Sequence, residues 1–169
     1  MSSALLITGT VGSGKTTVAE ALGDQLAERR VPHAVIDVDW LRRGWPSPPG
    51  DPFNAAMTLR NLRAVARNFL EAGADRLILA GVIESRAERD AYREAVGVPL
   101  TVCRLQVDLA LVRRRLTRRH ENDPAGLGWH LRRSGELDGI LRTAAVEDVV
   151  VDAGELPVSA VAAEVGRHL

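Results

Sequence analysis

Apolar residues fall along this chain in two alternating periods. Short, nearly unbroken apolar runs at 4–8, 33–38, 75–80, 99–107 and 147–152 have the length and make-up of buried strands. Between them, apolar positions recur every three or four residues, which predicts helices near 15–30, 53–72, 85–96, 109–119, 127–143 and 157–168. In TLRNLRAVARNFLEAG (58–73), Leu59, Leu62, Val65, Ala66, Phe69 and Leu70 make one stripe, while Arg60, Arg63 and Arg67 share another face. Strand and helix alternate from end to end. The pattern predicts an α/β fold, a five-stranded parallel sheet with helices on both faces. Ligands of such sheets gather at the carboxyl ends of the strands, so chemistry is expected just after each run.

Composition narrows the picture. With 169 residues, no repeat and no low-complexity tract, the chain is expected to be a single domain spanning 1–169; GWPSPPGDP (44–52) is too short for a linker. Formal net charge is zero, which argues against nucleic acid or a membrane as partner. With no run of 18 apolar residues, the expectation is a soluble, cytoplasmic protein, monomeric or homodimeric. The single cysteine, Cys103, is expected in the core and excludes an intrachain disulfide. His120 and His130 have no third histidine or cysteine to complete a zinc site.

The most informative residue is Lys15, the only lysine in the chain, against 21 arginines among the 22 Lys+Arg residues. Coding bias converts lysine to arginine wherever either serves, so position 15 calls for a compact ammonium on a thin stem. Gly9-Thr10-Val11-Gly12-Ser13-Gly14-Lys15-Thr16 fits the phosphate-binding pattern G-x-x-x-x-G-K-[ST], with a strand run before it and a helix pattern after it. Gly9, Thr10, Val11, Gly12, Ser13, Gly14, Lys15, Thr16 and Thr17 are therefore the expected nucleotide-binding residues. Lys15 would reach the β- and γ-phosphates, and Thr16 would offer its hydroxyl to Mg²⁺. ATP or GTP is the implied co-substrate.

After the second strand run comes VIDVDWLRRGW (35–45). On a continuing strand Asp37 and Asp39 point to the same face; Asp39 is a candidate general base or magnesium ligand, and also a candidate N-cap before Trp40-Leu41-Arg42. Arg42 and Arg43, in the first helical turn, are expected to bind an anionic group. Glu84, just past the third strand, has two readings, a magnesium-side carboxylate or a helix-entry residue.

These stretches carry a family resemblance. GTVGSGKTT resembles the G-L-S-G-[SA]-G-K-[ST]-T of adenylylsulfate kinases, and DVDWLRRGW resembles their D-G-D-N-[LV]-R-H-G-L. RNLRAVARNFLEAGADRLILAGVIESRAERD resembles the family's E-N-I-R-R-V helix, following strand and S-P-Y-R-x-D-R-D segment, aligning Asn61, Arg63, Arg86, Arg89 and Asp90. Gluconate, shikimate and nucleoside monophosphate kinases belong to the same wider set of P-loop kinases. The resemblance covers about residues 4–107. It implies a P-loop kinase fold, Asp39 as the acceptor-side carboxylate, and Asp37, Arg42, Asn61 and Arg63 lining a substrate pocket. It also implies that the loop after the last strand, at Gly154, lies against the nucleotide base.

Beyond residue 107 the family's lid motifs K-G-L-Y-x-x-A-R and G-F-T-G-[IV]-x-x-P-Y-E have no counterpart. In their place Arg113, Arg114, Arg115, Arg118 and Arg119 crowd seven positions, followed by HENDPAGLGWHLRRSGEL (120–137), composed like a mobile loop. An arginine-rich lid over about 116–136 is expected. Arg115 and Arg119, one helical turn apart, are its candidates for stabilising the transferring phosphoryl group, a role worth about 10³–10⁵ in rate. Trp129 is either a core anchor or a stacking platform.

Taken together, the residues and the resemblance predict an ATP-dependent phosphotransferase acting on a hydroxyl of a small, anionic acceptor. Two alternatives stand beside it. One is a nucleotide-binding regulatory module or slow NTPase, although no N-K-x-D guanine motif is present. The other is an antibiotic or natural-product O-phosphotransferase, for which Trp40 and Trp45 would suit a bulky acceptor.

Overall fold

The computed structural model describes residues 1–169. Five parallel strands, β1 (Ser3–Thr8), β2 (His33–Asp37), β3 (Arg76–Ala80), β4 (Leu100–Gln106) and β5 (Val149–Asp152), form one sheet in the order β2-β3-β1-β4-β5. All five strand runs are present with ends within two residues of those expected. The helices are α1 (Lys15–Glu28), α2 (Val38–Leu41), α3 (Ala55–Glu71), α4 (Arg86–Val96), α5 (Leu109–Arg119), α6 (Pro124–Ala144) and α7 (Val158–Gly166).

β1 lies between β3 and β4 and is buried on both faces from Ala4 to Ile7, so its sequence reads as an unbroken apolar run. Its side chains alternate between two cores. Leu5 and Ile7 pack with α1, α5 and α7 through Leu22, Val112, Leu116 and Val161. Ala4 and Leu6 pack with α3 and α4 through Leu62, Ala66, Tyr92 and Val96. The chain moves in opposite directions across the sheet on either side of β1, which opens a crevice at its carboxyl end. No helix is long and apolar enough to cross a membrane.

Two expectations are corrected here. β2 stops at Asp37, and the N-cap of the short helix that follows is Asp37, not Asp39: the Asp37 carboxylate accepts from the Asp39 N–H. The two carboxylates thus belong to different elements and do not share a strand face. The helix expected near 127–143 is present but begins three residues earlier, at Pro124, so the loop-like composition of 120–137 is left only the turn before it. Asp123 accepts from the Gly126 N–H and Pro124 takes the first helical position, a start signal strong enough to carry Gly126 and Gly128 into α6. Burial of Ser134, Leu137 and Leu141 then holds the helix down. The segment 116–136 is a corner between two helices.

Candidate active site

The loop between β1 and α1 wraps the carboxyl end of the central strand. Gly12 and Gly14 have φ of 78° and 94°, values that turn successive N–H groups inward and that side chains with a Cβ resist. At Gly12 space is also short: a Cβ there would lie 3.1 Å from Leu116 Cγ. The Lys15 ammonium folds back over this loop and donates to the Gly9 and Thr10 carbonyls at 2.9 and 3.0 Å. Burial pushes its pKa down to about 8; Asp39 and Asp37 pull it up, and Arg119 adds to the depression. Two carboxylates and an arginine at the end of α5 therefore all lie within electrostatic reach of the one lysine.

Asp37 and Asp39 diverge. One oxygen of Asp37 caps α2, and the other accepts from the Thr16 hydroxyl at 3.0 Å. Asp39 faces a cavity of about 760 Å³ beyond α2, with Arg42 Nε 3.4 Å from its Oδ1. The backbone of this turn is pinned from below: Asn61 Nδ2 donates to the Leu41 carbonyl at 2.8 Å, and Asn54 Nδ2 donates to the Arg42 and Gly44 carbonyls at 2.8 and 3.1 Å.

The arginines expected to gather here are dispersed. Arg63 turns away to Glu94 on α4 at 3.1 Å, and Arg43 stacks on Trp40 with its guanidinium carbon 4.0 Å from the ring centre. Neither lines the cavity, and neither does Asn61; of the expected substrate residues Arg42 alone does. In their place come groups that sequence reasoning missed. Phe53, Tyr92 and Arg133 reach the cavity from the turn before α3, from α4 and from α6, together with Trp129. Trp129 is half exposed on the cavity wall, which favours the platform over the core anchor. Glu84 is ion-paired to Arg133, while its backbone N–H is held by the Glu88 carboxylate; Ser85 caps α4.

On the other side of the loop a second cavity of about 220 Å³ lies between Gly12, Ser13, Gly14 and Thr17, the α5 residues Arg115 and Arg119, and Ala153, Leu156 and Val158. Arg115 donates to the Gly154 carbonyl at 3.0 Å and so ties α5 to the loop after β5. Arg114 makes only a long exposed pair with Glu155 at 3.8 Å. Helix α6 touches the phosphate-binding loop directly as well, through the Thr10 hydroxyl on the Ser134 carbonyl. His120 and His130 stack with ring centres 4.4 Å apart at the α5–α6 corner. No cluster of three or more His, Cys, Asp or Glu side chains forms a metal cage. Cys103 is buried in the core, which pushes its thiol up to about 11.

Comparison with known proteins bears on the family and the fold. The family model for adenylylsulphate kinase matches residues 1–143. An adenylyl-sulfate kinase of Klebsiella pneumoniae is 33% identical over 144 residues, covering 79% of this chain and 63% of the relative. The chain therefore spans less than two thirds of the length of the curated relatives it matches. Among solved structures, the tunicamycin resistance protein of Deinococcus radiodurans superposes with a TM-score of 0.70 at 22% identity, covering 99% of this chain and 95% of its own. The Mycobacterium tuberculosis APS kinase CysC, in complex with AMPPNP and APS, gives 0.64 at 24% identity, covering 97% and 95%. A gluconokinase from Sinorhizobium meliloti gives 0.61 at 20% identity, covering 98% and 90%. At these identities the structural likeness is one of fold.

Proposed function

The chain belongs to the adenylylsulphate kinase family, and from that premise we propose that it moves the γ-phosphoryl group of ATP onto a hydroxyl of a small molecule held in the cavity beside Asp39. The observation that carries the reading is the divergence of Asp37 and Asp39: one carboxylate sits on Thr16 at 3.0 Å, the other on the wall of a separate 760 Å³ cavity, and both act on Lys15. A phosphate loop that opens onto an acceptor-sized cavity across a carboxylate is what transfer, as distinct from storage of a nucleotide, requires.

In this reading the triphosphate lies along Gly9 to Thr17 with its γ end toward Asp39, and the base lies in the 220 Å³ cavity between Arg115, Arg119 and residues 153–158. The Lys15 ammonium exchanges its two carbonyl partners for phosphate oxygens. The acceptor hydroxyl gives its proton to Asp39 as its oxygen bonds to the γ-phosphorus and the β–γ bridging bond breaks, releasing ADP. Arg115 is occupied with Gly154 and supports the base-side loop. Arg119 acts on Lys15 and is the lid arginine assigned to the charge that develops on the transferring group.

Thr16 and Asp37 fit a magnesium ion: a hydroxyl and a carboxylate oxygen, already in contact, are the hard donors magnesium takes in small number, leaving room for phosphate oxygens and water. They would hold it in place of the Thr16 and Asp39 pair expected from the sequence, because Asp37 is the carboxylate that touches Thr16. The ion would supply neutralisation of phosphate charge.

The test is transfer of label from γ-labelled ATP to a panel of small hydroxyl compounds, with Asp39→Asn as the control. Label on a compound with the native protein and not with the variant supports the reading. Label released only as inorganic phosphate, whatever is added, replaces it with a nucleotide-binding module.

A further inference from the structure

The acceptor cavity carries an unusual balance of charge. Four carboxylates line it, Asp39, Asp51, Glu84 and Glu88, against two guanidiniums, Arg42 and Arg133. Both cations are already engaged, Arg42 beside Asp39 at 3.4 Å and Arg133 on Glu84. An anionic group entering this space would face a wall with a surplus of negative charge and would have to break an ion pair to gain a partner.

The apolar lining is equally specific. Half of the lining residues are hydrophobic. Two aromatics from separate elements, Phe53 and Trp129, remain 70% and 53% exposed there. Large exposed rings converging on one concavity of about 760 Å³ are a surface that awaits a cover, and the volume is that of sites for drug-sized molecules. The phenol of Tyr92 on the same wall stays protonated: burial pushes its pKa up to about 12, Arg42 opposes this, and Glu88 and Asp39 reinforce it. One donor is left incomplete. Arg42 Nε–H lies 3.4 Å from Asp39 Oδ1 but is buried without a completed hydrogen bond, and a buried donor of that kind is completed by an incoming oxygen.

From these features we infer that the acceptor is an uncharged alcohol with a flat ring, its ring covered by Phe53 and Trp129, its reacting hydroxyl on Asp39 and a second neutral oxygen on Arg42 Nε. The inference rests on the kinase reading for the role of Asp39, but its claim about charge and ring is independent of turnover. It departs from the anionic acceptor expected from the sequence, because the arginines that suggested an anion are paired or turned outward.

The experiment uses matched pairs that differ in charge: adenosine against adenylylsulfate, and 4-nitrophenyl β-D-glucoside against 4-nitrophenyl β-D-glucuronide. Each is titrated calorimetrically into the full chain loaded with magnesium and AMP-PNP, and each is offered with γ-labelled ATP. The expected result is that, in at least one pair, the uncharged member binds about tenfold or more tightly than its anionic counterpart, with the other pair showing no preference for the anion. Glu84→Gln, which releases Arg133, should narrow that ratio about tenfold, with unchanged circular dichroism as the folding control. Equal or tighter binding of the anionic members overturns the inference. So does absence of binding by every member, or a ratio indifferent to Glu84→Gln. Preferential binding of the uncharged member without label transfer leaves the inference standing and removes the kinase reading instead.

Discussion

The Thr16 hydroxyl donates to the Asp37 carboxylate across 3.0 Å, joining the first turn of the helix after the phosphate loop to the end of a strand two places away in the sheet. If that contact prefigures the magnesium site, Asp37→Asn should raise the magnesium concentration needed for half-maximal turnover by about tenfold or more, the scale of losing one charge-assisted ligand. Stability should change by less than about 1 kcal/mol, since Asn still caps α2. Magnesium titration of the labelled-ATP assay, with a thermal melt beside it, reads both.

Asp39 stands apart from the nucleotide loop, on the cavity wall. Asp39→Asn should lower kcat by about 10²–10⁴, the usual contribution of a positioned base, and leave the KM for ATP within a factor of about three. A parallel loss of ATP affinity would move Asp39 to the nucleotide side.

The pKa of Lys15, lowered to about 8 from 10.5, gives a pH dependence with a definite sign. Between these two values the unfolded chain holds the proton more tightly than the folded one, so nucleotide-free stability rises with pH across that window and gains nothing below it. Bound phosphates favour the charged ammonium, so nucleotide binding takes up a proton above about pH 8. The Kd for MgATP should be flat from about pH 6.5 to 7.5 and rise toward tenfold per unit above 8. Calorimetry in buffers of different ionisation enthalpy counts the proton. Lys15→Met should abolish the dependence, and Lys15→Arg should abolish turnover without unfolding, because the wider fork does not fit between the loop carbonyls and the phosphates.

Gly12 and Gly14 separate crowding from strain. Both have positive φ, but a Cβ at Gly12 would press on Leu116 and Val112, whereas Gly14 opens onto space. Gly12→Ala should cost about 2–4 kcal/mol, combining backbone strain with overpacking of the α5 contact. Gly14→Ala should cost about 1 kcal/mol from strain alone. Denaturant midpoints distinguish the two.

A further stability test lies far from the site. Arg104 on β4 pairs with Glu147 at 2.9 Å, with side chains only 9% and 11% exposed. Glu147→Ala leaves a buried guanidinium without its partner and should cost about 3 kcal/mol, a fall in melting temperature of roughly 6–12 °C for a chain of this size. ATP affinity should be unaffected.

The fold and the glycine-rich loop of the candidate site were legible in the residues because both are local. Strand runs and helical stripes are short-range patterns, and a phosphate loop needs its glycines, lysine and threonine in one fixed order. The acceptor half was not legible. Phe53, Tyr92, and the α6 pair Trp129 and Arg133 lie on three separate stretches of chain, the turn before α3, α4 and α6, and meet only around the folded cavity; no spacing in the sequence encodes that meeting. Charge was misread for the same reason. Arg42, Arg43 and Arg63 look like an anion site when counted along the chain, but Asp39, Trp40 and Glu94 claim them in space. The sequence by itself determined the shape of the glycine-rich loop, since its positive-φ glycines and one ammonium folded over its carbonyls lie within nine consecutive residues. Tertiary structure alone decided what stands opposite it, since the neutralisation of a charge depends on which partner lies within a few ångströms.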